Sequence, residues 1–156
     1  MRGCGVSVAE GVWMAGISAK TEYGCLAMID LGQRYASGEA TRVGEMAQRH
    51  GMPAGFLVQI LLQLKAAGLV RSSRGAGGGY RLARAPKAIT LQQIVEAIEG
   101  PAEGASSHAR RSSAGTAVLA ATWEELQSLQ KSYLAEVTLA ALVERLEATT
   151  AEMYYI

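Results

Sequence analysis

Between Arg74 and Tyr80 the chain reads Gly75-Ala76-Gly77-Gly78-Gly79, and no other stretch of the 156 residues restricts the possible folds as strongly. Glycine inside a helix costs about 1 kcal/mol relative to alanine, so four in five positions cannot belong to one. Leu69, Val70 and Arg71 before the run, and Tyr80, Arg81 and Leu82 after it, have the length and residue types of short strands. The spacing predicts a β-hairpin with a flexible tip. A phosphate-cradling dinucleotide loop needs its glycines between a strand and a helix, with an acid about 20 residues on. Here a second strand and Pro86 follow instead.

The segments before the hairpin read as three helices. Ser18 precedes a helix over 19–36 in which Tyr23, Leu26, Ala27, Leu31 and Tyr35 recur at helical spacing, ended by Ser37 and Gly38. Thr41 is the expected cap of a short second helix through Met46 and Ala47, stopped by Gly51. Met52 is left as the turn, and Pro53 opens a third helix with the apolar stripe Leu57, Ile60, Leu61 and Leu64, ending at Ala67 and Gly68. Two helices joined so tightly, followed by a glycine-tipped hairpin, have the outline of a winged helix-turn-helix.

Downstream, Thr90 and Gln93 form a capping box for a helix with Leu91, Ile94, Val95 and Ile98, ended by Gly100 and Pro101. Residues 101–117 are small and polar and are expected to form a mobile loop. Leu119, Trp123, Leu126, Tyr133 and Val137 then recur near coiled-coil spacing, which predicts a dimer seam. Thr138 is the expected cap of a last helix with Leu139, Leu142, Val143 and Leu146, so that 118–150 are read as dimerisation helices and 151–156 as a tail. Residues 1–16 read as a flexible arm, with Met14 an alternative to Met1 as the natural start. The expected fold class is mainly α with a small β wing: residues 17–100 a winged helix-turn-helix, then a long dimerisation helix.

The net charge is only +1, yet its distribution is lopsided. Arg42, Arg49, Lys65, Arg71, Arg74, Arg81, Arg84 and Lys87 face the single acid Glu45 between Ala40 and Val95, whereas the region from Ala114 carries six glutamates against Lys131 and Arg145. A basic segment inside a near-neutral chain fits a phosphate backbone as partner. Within it, Gln59 can pair bidentately with adenine, Lys65 suits a phosphate, and Arg74 and Arg81 flank a glycine tip able to approach a narrow groove. His50 and His108 stand alone and suggest no metal site. Cys4 and Cys25 are too few for a disulfide framework, and no apolar run reaches about 18 residues, which points to a reducing cytoplasm and no membrane span. Cys25 reads as a small buried hydrophobe, with redox or metal sensing as the alternative. No nucleophile–base or paired-carboxylate arrangement stands out, so the chain is not expected to be an enzyme.

Lys20-Thr-Glu-Tyr-Gly24, Phe56-Leu-Val-Gln-Ile-Leu61, the wing from Gly68 to Tyr80, Ile89-Thr-Leu91 and Glu99-Gly-Pro101 together resemble the Rrf-two family of winged-helix transcriptional regulators. The resemblance implies a homodimer on a palindromic double-stranded DNA operator. Gly55, Phe56, Val58 and Gln59 would face the major groove, and Arg74 with Gly75, Gly77, Gly78, Gly79 and Tyr80 the minor groove. Cluster-binding members carry three cysteines after the Glu-Gly-Pro motif, whereas 102–122 contains none here, so no iron–sulfur cofactor is expected. The ending Met153-Tyr154-Tyr155-Ile156 is similar to that of the family's cysteine-metabolism repressors. It implies repression of sulfur and cysteine genes, with Tyr154, Tyr155 and Ile156 as a segment that binds cysteine synthase.

Overall fold

Helix α1 (Ala19–Gln33) begins where the Ser18 hydroxyl accepts a hydrogen bond from the Thr21 N–H at 3.3 Å in the computed structural model, which describes residues 17–100 and 113–155. The expected arm 1–16, most of the expected loop and the terminal Ile156 lie outside the described residues. α1 ends before Tyr35, which is exposed. Helix α2 (Val43–His50) follows, and Gly51 closes it in the left-handed conformation, with the Met52 N–H donating to the Ala47 carbonyl at 3.0 Å. Thr41 is not its cap. The cap residue is Arg42, while Thr41 is fully buried and pairs as a bridge with Tyr80, 39 residues on.

Pro53 stands immediately before helix α3 (Ala54–Ala66), whose Leu57, Ile60, Leu61 and Leu64 are all completely buried, as their spacing requires. Strands β1 (Val70–Ser73) and β2 (Gly79–Leu82) form a two-stranded antiparallel sheet with Val70 opposite Leu82 and Ser73 opposite Gly79. A 3-10 turn (Pro86–Ala88) leads into helix α4 (Leu91–Glu99), and both halves of the Thr90–Gln93 capping box are formed. Long helix α5 (Ala114–Glu136) and helix α6 (Leu139–Tyr154) complete the chain.

One apolar cluster unites Met28 and Leu31 of α1, Met46 of α2, the α3 stripe, Val70 and Leu82 of the hairpin, Ile94 and Ile98 of α4, and Leu139 of α6. Leu139 thus ties the start of α6 into the winged-helix core. The helix is held there by the Leu91 N–H to the Val137 carbonyl and the Leu139 N–H to the Ile89 carbonyl, both 2.8 Å. Gly32 lets it approach α1, since a Cβ there would lie 2.8 Å from a Val143 methyl. α6 also runs on to Tyr154, so most of the expected tail is helical. The start of α5 revises the expected loop as well: Ser113 and Thr116 exchange capping hydrogen bonds, and 114–117 belong to the helix.

Two polar clusters fix the helices. Asp30 of α1 is buried and receives Arg49 at 3.1 Å and His50 at 2.9 Å, anchoring the carboxyl end of α2. His50 is thus paired rather than isolated. At the other end of α1 the Glu99 carboxylate accepts from the Ser18 N–H at 3.1 Å and from the Ser18 and Thr21 hydroxyls. Burial alone would raise the Glu99 pKa, but these hydrogen bonds outweigh it and hold the group below its ordinary value.

Candidate nucleic-acid interface

The turn between α2 and α3 leaves one side of α3 in solvent, because four of its residues are committed to the core. Gly55, Phe56, Gln59, Leu62 and Lys65 are exposed, and Val58 is half-buried. Of the residues expected to face a groove, Gly55 and Gln59 stand free of the core. Phe56 is engaged from one side, its ring meeting Tyr23 of α1 edge-on at 6.0 Å and 86°, which also gives Tyr23 of the Lys-Thr-Glu-Tyr-Gly motif a packing role.

The hairpin is joined to this helix pair at three points. The Thr41 N–H donates to the Tyr80 carbonyl and the Tyr80 N–H to the Thr41 carbonyl, both 2.8 Å, so a single antiparallel bridge fastens the α1–α2 connection to β2. Arg42 donates to the Ala76 carbonyl at the tip, and Lys65 of α3 to the Ser72 hydroxyl at 2.7 Å. Arg74, Gly75 and Gly77 are exposed; Gly78, Gly79 and Tyr80 are half-buried. Tyr80 is half-buried and packs against the core cluster, which holds the wing to the body. Gly79 is required by the close approach: its φ is 146°, and a Cβ would lie 2.5 Å from the Thr41 carbonyl oxygen.

The surface charge is positive and weakly opposed. Arg71 and Arg81 lie directly opposite each other on the exposed strand face, an arrangement that repels unless an anion intervenes. Glu45, the acid of the basic segment, is taken up by Arg34 at 2.7 Å and lies near Arg49 at 3.9 Å; the Arg34 hydrogen bond holds its pKa below the usual carboxylate range. The exposed guanidiniums of the wing are left to dominate the local potential.

Helix α5 carries a second unusual surface. Val118, Leu119, Trp123, Leu126, Leu129 and Tyr133 are all exposed, Trp123 and Leu126 by 48% each. Val137, expected on the same stripe, is instead buried at the end of α5. At the far end of α6, Tyr154 and Tyr155 are 85% and 93% exposed.

A tight helix pair, a basic glycine-tipped hairpin and a shared helical core define a winged helix-turn-helix protein. The chain belongs to the Rrf2 family: the family model, described as an iron-dependent transcriptional regulator, matches residues 17–145. It is 37% identical over 127 residues to a Mycobacterium tuberculosis protein that carries the name HTH-type transcriptional regulator Rv1287, spanning 80% of this chain and 78% of that one. Among solved structures it is similar to CymR, described as the global cysteine regulator of B. subtilis, with a TM-score of 0.74 and 31% identity over 85% of this chain and 98% of the other. It is similar also to IscR of T. potens, with a TM-score of 0.71 and 32% identity over 85% and 89%.

The donor set does not fit an iron–sulfur cluster. The chain has two cysteines, and none between residues 101 and 122. Cys25 packs against the core from α1, and its thiol is pushed up to about 11, first by burial and then by the neighbouring Glu22 carboxylate. A thiol so protonated is a poor metal ligand. Among the described residues no three His, Cys, Asp or Glu side chains gather as metal ligands, and no helix is long and apolar enough to cross a membrane.

Proposed function

We propose that the chain is a cytoplasmic, non-enzymatic transcriptional repressor that acts as a homodimer on a palindromic DNA operator without a cofactor. The observation that carries this reading is the tethering of a basic, glycine-tipped wing to the exposed side of α3, which supports simultaneous engagement of two adjacent grooves. Gln59 and Gly55 meet base edges in the major groove, with Val58 and Phe56 supplying apolar contact at its rim. Arg74 and the wing tip enter the minor groove, where guanidinium groups are drawn to the negative potential of narrow stretches. The exposed α5 stripe of Trp123, Leu126 and Tyr133 pairs with the same stripe of a second copy, and so sets two such units against a two-fold symmetric site.

Arg74 carries the sharpest test. In a duplex selected by the wild-type protein from a randomised library, Arg74→Ala weakens binding by about 1–3 kcal/mol. Wild-type affinity in that variant would remove Arg74 from the interface.

The regulated genes are those of sulfur and cysteine metabolism, and cysteine synthase reports to the repressor through the tail. Support comes from the exposed Tyr154 and Tyr155 beside the terminal Ile156 and from the likeness to a cysteine regulator. The full chain is expected to co-elute with the cysteine synthase of its own cell and a chain lacking Ile156 to elute alone; separate elution of the full chain removes this partner. Sensing through Cys25, the alternative reading, is disfavoured by burial of the thiol and its raised pKa.

A further inference from the structure

A two-stranded hairpin of four residues per strand is marginal by itself, and a glycine-rich tip has more conformations to lose than any other loop. In this chain the tip is held from outside. Arg42, the residue that opens α2, donates from its guanidinium to the Ala76 carbonyl at the apex of the turn, where the Gly78 N–H also donates to the Gly75 carbonyl at 2.9 Å. The adjoining Thr41 exchanges two backbone hydrogen bonds with Tyr80, and the Thr41 carbonyl lies so close to Gly79 that a methyl group would not fit. The connection between α1 and α2 therefore grips the wing at the start of β2 through Thr41 and at the turn itself through Arg42. The sequence offers no sign of this, since Arg42 stands 34 residues from Ala76 and reads as one more surface cation.

Resting on the DNA-binding reading above, we infer that Arg42 is a positioning residue that fixes the wing tip relative to α3, so that Arg74 enters the groove already oriented. A loop ordered in advance loses less entropy on binding, and the benefit appears as affinity without a new contact to the ligand. The rival role for Arg42, a direct phosphate contact, would act independently of Arg74; a positioning role acts through it.

The test is a double-mutant cycle on the duplex that the wild-type protein selects from a randomised library, with amide hydrogen exchange of the free protein alongside. Arg42→Ala is expected to weaken binding about tenfold in the wild-type background and by less than about twofold when Arg74 is already alanine. In the free protein the same change speeds exchange of the Gly78 and Tyr80 amides about tenfold, while amides of α3 are unaffected. Arg42→Lys keeps a donor on a long stem and recovers most of the protection. Equal losses in both backgrounds, with unchanged wing exchange and a salt dependence shallower by about one ion, would make Arg42 a phosphate contact and overturn the positioning role. Wild-type affinity and wild-type exchange in Arg42→Ala would overturn it as well. If the wild-type protein selects no duplex, the DNA-binding reading itself fails, whereas the exchange measurement still reports whether Arg42 holds the wing.

Discussion

Replacing Gly79 by alanine detaches the wing while leaving the helical core folded. The added Cβ meets the carbonyl oxygen of Thr41 at 2.5 Å and its carbon at 2.7 Å, and both are backbone atoms of a buried residue that no rotamer change can move aside. A φ of 146° adds strain for any side chain. Relief requires separating Thr41 from Tyr80, which gives up two backbone hydrogen bonds of 2.8 Å worth about 1 kcal/mol each. With strain of order 1–3 kcal/mol, the sum exceeds what so small a hairpin can hold against local opening. Amide exchange at Tyr80 rises toward that of an open loop, helical circular dichroism is retained, and duplex binding falls with the wing. Gly77→Ala is the matched control, because no atom lies within 4 Å of the position its Cβ would take and its φ is not positive. Its stability should stay within about 0.5 kcal/mol of wild type. Equal behaviour of the two variants would mean that the Thr41–Tyr80 bridge does not hold the wing.

The second large effect lies on α5. Glutamate at Leu126, in the middle of the exposed stripe, puts a charge where two copies are proposed to meet, and desolvating an unpaired charge at a helix–helix seam outweighs what one leucine contributes. Leu126→Glu is expected to sediment as a monomer with the α1–α4 core intact. Binding to a two-fold symmetric duplex then loses the effective concentration that links the two half-sites, a factor of about 10²–10⁴. Phe56 and the α3 stripe are untouched by the change, so a monomer that kept wild-type affinity would show that one winged unit suffices. A Leu126→Glu variant that remained dimeric would move the dimer interface off this stripe.

What the sequence made legible was local. The glycine run, the Gly51-Met52-Pro53 turn, the stripe of α3 and the Thr90–Gln93 box are read from neighbours within one turn of chain, and each is formed where its spacing requires. The misreadings come from pairings across the fold. Thr41 has a side chain suited to a cap, but Tyr80 captures its backbone and draws it out of the capping position. His50 reads as isolated because its partner Asp30 is on another helix, one of a single buried cluster that no local pattern reveals. The start of α5 is obscured because its first turn is Ala-Gly-Thr-Ala, with no apolar period. The end of α6 hides in an alanine- and threonine-rich turn, where the Thr149 and Thr150 hydroxyls bond back to the Arg145 and Leu146 carbonyls.

Whether the wing and α3 form one DNA-reading surface is decided by selecting duplexes from a randomised library and titrating the winner with salt. A two-fold symmetric sequence is expected to be enriched, with affinity falling by about three to five orders of magnitude between roughly 50 and 200 mM salt if six to ten phosphates are contacted. A library that emerges unenriched, or a winner whose affinity is indifferent to salt, would contradict the DNA-reading surface.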